Sequence, residues 1–470
     1  MPAPAKASIC FAFCAMLQKG ILFLTTPIFT RLLSPDQYGL FSLYSSWLSI
    51  VTVICTLNLN YNVFFRGLIE FPEDKDSYTS SMQGITTFLT LIIFSTYLIR
   101  PDIWISITGL SGELIFCMFL EMLLAPAYYF WLSKQRAEYK YVAVSVITVL
   151  SLLLSTGLAV IAVMLTDCGV LARVYPVVLI DVCIGAFFYL LNLMRGRSLF
   201  TGKFWKYALA FNFPLLPHYL SDVILNQVDR VMIGDICGVS YTAIYSVAYA
   251  VAMLVSLFNS SVNASLIPWT YEKLKSDNSE SEREIKSIGS VLSFAVAALS
   301  CITIAIGPEL VGVLGPEEYQ EAAWIMPPVG ISALLMFYVY LFVNVETYYG
   351  KNRYVAYVSC AAAFLNVVLN AALLPSFGFV AASWATLACY CFMTFGHYYF
   401  MRKVRNKASH SASVFNDRLL IAIAAGTMAF GLFMLFVYTH PLVRYTALIA
   451  VVLAVYANRS KLLAAYRQIK

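Results

Sequence analysis

Between Phe211 and Asp235 an otherwise apolar stretch carries His218, Asp222, Asn226, Asp229 and Arg230. On a helix advancing about 100° per residue, positions 218, 222, 226 and 229 project at about 0°, 40°, 80° and 20°. Three titratable groups and an amide thus share one face over roughly 16 Å of rise. An Asp or Arg at a bilayer centre costs about 2.5–3.5 kcal/mol on insertion scales, so that face must look into protein or water. Asp222 and Asp229, with Glu121 and Asp181 in other apolar stretches, are candidates to load and release a proton. The alternative for each is to neutralise a nearby cation. His218 is either a protonation switch or a partner for carbonyls freed by Pro214 and Pro217.

Four cations lie within or at the ends of apolar stretches: Lys19, Arg31, Arg173 and Arg230. A guanidinium grips phosphate oxygens through two donors, whereas an ammonium acts as a point charge. Arg31 could instead snorkel from a helix end, and Arg230 could pair with Asp229. Amides form a third group, with Asn226 placed beside the cations. Asn58, Asn60 and Asn62, then Asn259 and Asn263, then Asn366 and Asn370, each could bond sugar hydroxyls or simply bridge helices. The aromatic runs Tyr128-Tyr129-Phe130-Trp131 and His397-Tyr398-Tyr399-Phe400 read as interfacial belts, with sugar stacking as the alternative.

The elements that position these residues must be membrane helices. The chain is 60% hydrophobic and 12% charged, with a mean hydropathy of +0.76, where soluble domains run near 25% charged. Lys6 precedes an apolar run that continues straight into the first span with no small-residue cleavage site. Insertion as a polytopic inner-membrane protein is therefore expected. Eleven cysteines are scattered singly, with no zinc spacing, and read as packing residues. No metal and no cofactor is expected, and the net charge of +6 is no nucleic-acid signal once its residues are placed along the chain.

Apolar windows long enough to span number about fourteen, near 7–31, 38–64, 82–99, 112–133, 141–165, 170–194, 206–234, 240–267, 287–306, 322–345, 354–374, 378–401, 418–438 and 441–457. Thirteen is conceivable, because the last is short. With the N-terminus inside, 25 of the 31 Lys and Arg fall in inner segments, from Lys6 to Lys470. The segment 307–321, with Glu309, Glu317, Glu318 and Glu321 but no basic residue, falls outside. Both termini are expected in the cytoplasm.

Three weak echoes keep their order at offsets of about 204–213 residues. Tyr38-Gly39-Leu40-Phe41-Ser42-Leu43 pairs with Thr242-Ala243-Ile244-Tyr245-Ser246-Val247, Tyr141-Val142-Ala143 with Tyr354-Val355-Ala356, and Gly169-Val170-Leu171-Ala172 with Gly378-Phe379-Val380-Ala381. The expected fold is all-α and polytopic. Two six-helix lobes, 1–200 and 201–408, are related by a pseudo-two-fold along the membrane normal, and 409–470 adds two helices.

The run Pro27-Ile28-Phe29-Thr30-Arg31-Leu32-Leu33-Ser34-Pro35-Asp36-Gln37-Tyr38-Gly39-Leu40-Phe41-Ser42 resembles the N-terminal signature of bacterial Wzx-like polysaccharide flippases. So do Asn226-Gln227-Val228-Asp229-Arg230-Val231-Met232-Ile233-Gly234, Ala243-Ile244-Tyr245-Ser246 and Pro268-Trp269. These flippases belong to the MOP superfamily, with the MATE exporters and the lipid II flippase. The resemblance covers the first eight spans. It implies transfer of an undecaprenyl-diphosphate-linked oligosaccharide, as in O-antigen or capsule assembly, from the inner to the outer leaflet. It implies membrane lipids as partners, H+ or Na+ as a coupling ion, and other polysaccharide-assembly proteins nearby. The family usually has twelve spans; two extra ones resemble the lipid II flippase.

Such a protein needs a hydrated cavity between lobes, cations for the diphosphate, and a path on which the lipid tail stays in the bilayer. A MATE-type drug or cation antiporter would share the fold and make equal use of acids. A polysaccharide polymerase or ligase, the enzymatic rival, typically keeps its chemistry in a large external loop. The longest external connection here is about fifteen residues and has acids without a basic partner. An ATP-driven pump is weaker still: Gly196…Gly202-Lys203 has the wrong spacing for a phosphate-binding loop. No enzymatic activity is expected.

Overall fold

The structure, a computed structural model, describes residues 3–276, 278–407 and 414–469. Lys470 and segment 408–413, where the second lobe was expected to end, lie outside the described residues, as does the Lys6 side chain. The described residues form helices and no strand, in two compact units, Met1–Ala243 and Ile244–Lys470.

The first unit contains α1 (Ala3–Leu32), α2 (Pro35–Thr56), α3 (Asn62–Glu70), α4 (Lys75–Ile99), α5 (Pro101–Thr108), α6 (Gly112–Ala137), α7 (Tyr141–Leu165), α8 (Val170–Gly196), α9 (Gly202–Asn212) and α10 (Leu216–Ile236). The long α11 (Val239–Ser276) starts in the first unit and continues into the second. There it is followed by α12 (Ser279–Ala305), α13 (Gly307–Leu314), α14 (Met326–Tyr348), α15 (Asn352–Phe377), α16 (Val380–Lys407), α17 (Asp417–Val437), α18 (Pro441–Ala457) and α19 (Arg459–Ile469).

Among the described residues, eleven helical spans are long and apolar enough to cross a membrane. They become twelve if α18 and α19, bent by 57°, count as one. The sequence windows anticipated fourteen. The difference lies partly in α10 and α16, which at 21 and 28 residues have the length but not the apolar composition.

The signature run has a structural explanation. Ser34 caps α2: its Oγ accepts from the Gln37 backbone N–H at 3.3 Å, while the Gln37 side chain accepts from the Ser34 N–H at 3.2 Å. With Pro35 in the first turn, this is a complete capping box. Two residues on, Gly39 lets α2 meet the start of α11, since a Cβ there would lie 2.0 Å from the Val239 carbonyl oxygen. Only glycine permits that approach.

The core of the first unit joins α2, α4, α6 and α8 through Leu43, Tyr44, Cys55, Tyr97, Met118, Phe119 and Val178. A second, aromatic cluster around Phe64, Tyr78, Phe130 and Phe204 joins α3, α4, α6 and α9. Phe64 stacks on Tyr78 at 5.7 Å, while Phe64 against Phe130 at 5.2 Å and Phe71 against Phe204 at 4.9 Å are tilted. Two belt expectations are corrected here. Phe130 and Trp131 are only 1% and 8% exposed, and His397 is fully buried. They are packing residues because α6 and α16 turn those faces toward neighbouring helices, not toward lipid.

The second unit is organised around α14, which is buried on nearly every side. Polar groups along it are paired. Asn259 of α11 donates to the Ala333 carbonyl at 2.7 Å, and Asn344 donates to Asn263 at 2.8 Å. These amides bridge helices. Glu346 lies 3.1 Å from His397 Nδ1 of α16, both fully buried. Arg405, 2% exposed, pairs with Glu282 of α12.

Glu309 on α13 also has a basic partner, which the sequence reading of its segment did not find. Arg444 of α18 donates to both its oxygens, at 2.5 and 2.6 Å, and Tyr445 adds a third bond at 2.7 Å. Arg444 also donates to the Ala305 carbonyl at 3.0 Å, so one side chain ties α18 to α12 and α13. Burial alone would raise the Glu309 pKa, but the hydrogen bonds from Arg444 and Tyr445 outweigh it and hold it below the usual glutamate range. A carboxylate with a depressed folded pKa stabilises above its unfolded value, about 4.3, and that contribution disappears as pH falls through the folded value. Thermal unfolding in detergent should therefore show acid destabilisation beginning near pH 4.5 that is smaller in Glu309→Gln. An unchanged acid limb in that variant would remove the pair from the account.

Candidate functional site

The break after α2 begins the site. Leu57 and Asn58 adopt left-handed backbone, with φ of 49° and 51°, which ends the helix and starts a turn leading to α3. The turn's polar groups are satisfied locally. Thr56 Oγ1 accepts from the Asn58 N–H at 3.2 Å, Asn212 donates to the Leu57 carbonyl, and Ser133 donates to the Asn60 carbonyl at 3.0 Å. Irregular backbone survives in a membrane protein on that condition. The side chains of Asn58, Asn60 and Tyr61 are thereby set beside the ends of α6 and α10.

Together they line a pocket of about 740 Å³ inside the first unit, within the usual range of about 300–1,000 Å³ for small-ligand sites. α2 contributes Ser49, Thr52 and Thr56, α6 contributes Glu121 and Tyr129, and α10 contributes His218, Tyr219 and Asp222. Pro126 on α6 and Pro217 near the start of α10 lie in the same two walls.

Glu121 is oriented by Tyr44, whose hydroxyl donates to its Oε2 at 3.1 Å. Asp181 of α8 acts on the same carboxylate electrostatically but does not line the pocket. Asp222 is exposed, and Asn226 one turn on donates to its backbone carbonyl at 2.7 Å. His218 has a buried Nδ1 with no hydrogen-bond partner among the described residues. Tyr61 and Tyr129 are 54% and 46% exposed. Tyr61 was not anticipated as a site residue, and Tyr129 was read first as a belt residue with sugar stacking as the alternative, because an aromatic at a span end has the same sequence signature as a belt residue. Asn62, just past the turn, donates to the Tyr219 hydroxyl at 3.3 Å.

The pocket thus unites Glu121, Asp222 and His218 with the candidate amides Asn58 and Asn60, and leaves the expected cations, Asn226, Asp181 and Asp229 outside its lining. Asp229 is 2% exposed on the same helix as Asp222. Arg230 is half-buried, donating to the Asn226 carbonyl at 2.8 Å and to Gln227 at 3.3 Å, where Ser46 of α2 also donates at 3.1 Å. Arg31 is exposed and donates to the Pro27 carbonyl of its own helix at 2.9 Å. Lys19 lies half-buried on α1.

Arg173 sits in packing of another kind. Its guanidinium is buried among Phe29 of α1 and Tyr38 and Phe41 of α2, 4.0, 4.8 and 3.5 Å from the ring centroids. A desolvated cation–π contact is worth about 2 kcal/mol. Three rings from the signature run therefore close over one cation.

Many apolar spans and a polar pocket inside one unit define a multi-pass membrane protein. Residues 5–272 match the profile of the polysaccharide biosynthesis protein family, and the chain belongs to that family. A protein of the Lsg locus of Haemophilus influenzae is 24% identical over 388 residues, covering 78% of this chain and 90% of the relative. The inward closed structure of the lipid II flippase MurJ superposes with a TM-score of 0.68 at 12% identity, covering 96% of this chain and 99% of that one. An inward-facing multidrug resistance MATE transporter of the MOP superfamily reaches 0.55 at 13% identity, covering 85% and 99%. At these identities the likeness is one of fold.

The position of Arg173 makes a prediction. Arg173→Ala should lower the thermal stability of the purified protein by about 2 kcal/mol, and Arg173→Lys, which keeps the charge among the rings, should lower it less. Wild-type stability in Arg173→Ala would show that the cage does not hold α1 and α8 together.

Proposed function

We propose that this protein moves an undecaprenyl-diphosphate-linked oligosaccharide from the inner to the outer leaflet of the bacterial inner membrane by alternating access, with both termini in the cytoplasm. The observation that carries the reading is the pocket. A membrane protein of the polysaccharide biosynthesis family holds, among its helices, a chamber furnished with amides, carboxylates and exposed tyrosines. These groups suit sugar hydroxyls, which need paired acceptors and donors once removed from water. Lipid tails need none of them.

Within this reading Lys19, Arg31 and Arg230 are the candidates to meet the diphosphate, and Asn226 to meet a sugar hydroxyl. Arg173, enclosed by rings, supports the wall rather than touching cargo. Asp222, Glu121 and His218, which share the pocket, are the candidates to bind a coupling H+ or Na+, and Asp181 and Asp229 stand behind them. Coupling at these groups would tie occupancy of the pocket to the direction of transport, because a charge buried without its ion favours the open state.

Deleting the gene in its host should cause the lipid-linked oligosaccharide to accumulate on the cytoplasmic leaflet, with loss of surface glycan. Intact surface glycan alongside new drug sensitivity would assign the protein to the exporters instead. Asp222→Asn and Arg230→Ala should each reduce transport at least tenfold at unchanged membrane abundance. Normal transport by both would reject these site assignments.

A further inference from the structure

The charge of the pocket lining says more about cargo than its shape. Among the described residues that line it, the ionisable side chains other than tyrosine are Glu121, His218 and Asp222, and none is Lys or Arg. The acids stand in two different walls, α6 and α10. The third wall supplies only neutral groups: Ser49, Thr52 and Thr56 of α2, with Asn58 and Asn60 of the turn. Several basic residues of the first unit make their contacts outside this pocket. Arg173 lies among three rings, Arg230 bonds to Asn226 and Gln227, Lys134 pairs with Asp76, and Arg66 lies 5.2 Å from the Phe211 ring.

We propose that this pocket receives an uncharged or amine-bearing sugar of the cargo and discriminates against sugars that carry a carboxylate. The diphosphate is therefore held outside it. The proposal rests on the flippase reading above and adds a substrate class to it.

The physical grounds are direct. A ring hydroxyl can donate to Glu121 or Asp222 and accept from the Asn58 or Asn60 amide, so a neutral sugar satisfies both sides of each contact. An ammonium group gains further, from the carboxylates and from the faces of the exposed Tyr61 and Tyr129 rings. A uronate brings a third carboxylate to a partly desolvated site with no guanidinium to receive it. Like charges at close range in such surroundings repel, and the cargo must enter with an additional proton or not at all. His218 is the one lining group able to offset that charge, and it lies on the same helix as Asp222, one turn away.

The test uses the full-length protein in proteoliposomes and three cargoes: undecaprenyl diphosphate bearing a disaccharide that ends in glucose, in glucosamine or in glucuronic acid. Leaflet position is read by accessibility to a membrane-impermeant glycosidase. Wild type should move the first two at least tenfold faster than the third. Glu121→Gln should narrow that ratio several-fold, and Asn60→Lys, which places a cation in the neutral wall, should narrow it further. Because each ratio is taken within one preparation, partial misfolding of a variant cancels. Equal rates for the three cargoes in wild type, or a ratio unmoved in both variants, overturns the charge filter while leaving the flippase intact. A wild type that moves none of the cargoes removes the flippase reading itself, and the filter with it.

Discussion

A polar group taken into a bilayer must find a partner or keep contact with water, and the polar architecture of this protein follows from that requirement. Each buried polar side chain described above meets it in a different way. Arg173 does so with three aromatic faces, Glu346 with His397, Arg405 with Glu282, and Asn259 with a backbone carbonyl. His218, whose buried Nδ1 has no hydrogen-bond partner among the described residues, stands in the pocket of the first unit, where water or cargo can supply one. Removing one member of a fully buried pair such as Glu346 and His397 would cost about 3–5 kcal/mol in a soluble protein, whereas a pocket residue can change with little effect on folding.

Much of this was legible in the residues. Apolar windows located nearly all the long helices, because length and hydropathy are the two properties a span must have. Ser34, Pro35 and Gln37 mark the start of α2 through a capping box that acts over four residues. α10 was recognisable as unusual because four polar side chains recur at helical spacing. Its helical wheel, however, could not separate Asp222 from Asp229. They lie only about 20° apart around the axis, yet one is exposed and the other 2% exposed. Position along the axis decides which meets the pocket and which meets packing, and that depends on neighbours distant in sequence.

The same limit explains the other departures. Tyr129 and Phe130 are adjacent in a run with the composition of an interfacial belt, and both border the pocket, but Tyr129 is exposed while Phe130 is buried against Phe64. Arg444 and Glu309 are separated by 135 residues, so the acidic segment 307–321 looked unpartnered until α18 was placed beside it. The cations that were grouped as diphosphate ligands share a charge and a hydropathic setting, but nothing local tells a guanidinium aimed at cargo from one enclosed by Phe29, Tyr38 and Phe41.

The left-handed pair Leu57 and Asn58 carries one more implication. Because it ends α2 before the chain reaches Asn60 and Tyr61, part of the pocket is built on a turn whose backbone is anchored by Thr56, Ser133 and Asn212. Side chains on such a turn can be exchanged without altering the helical ridges that the rest of the unit packs against. The lineage therefore has a place where it can alter what it recognises while its scaffold stays fixed. Substitutions should be borne more readily at Asn58, Asn60 and Tyr61 than at Gly39 and the rings around Arg173.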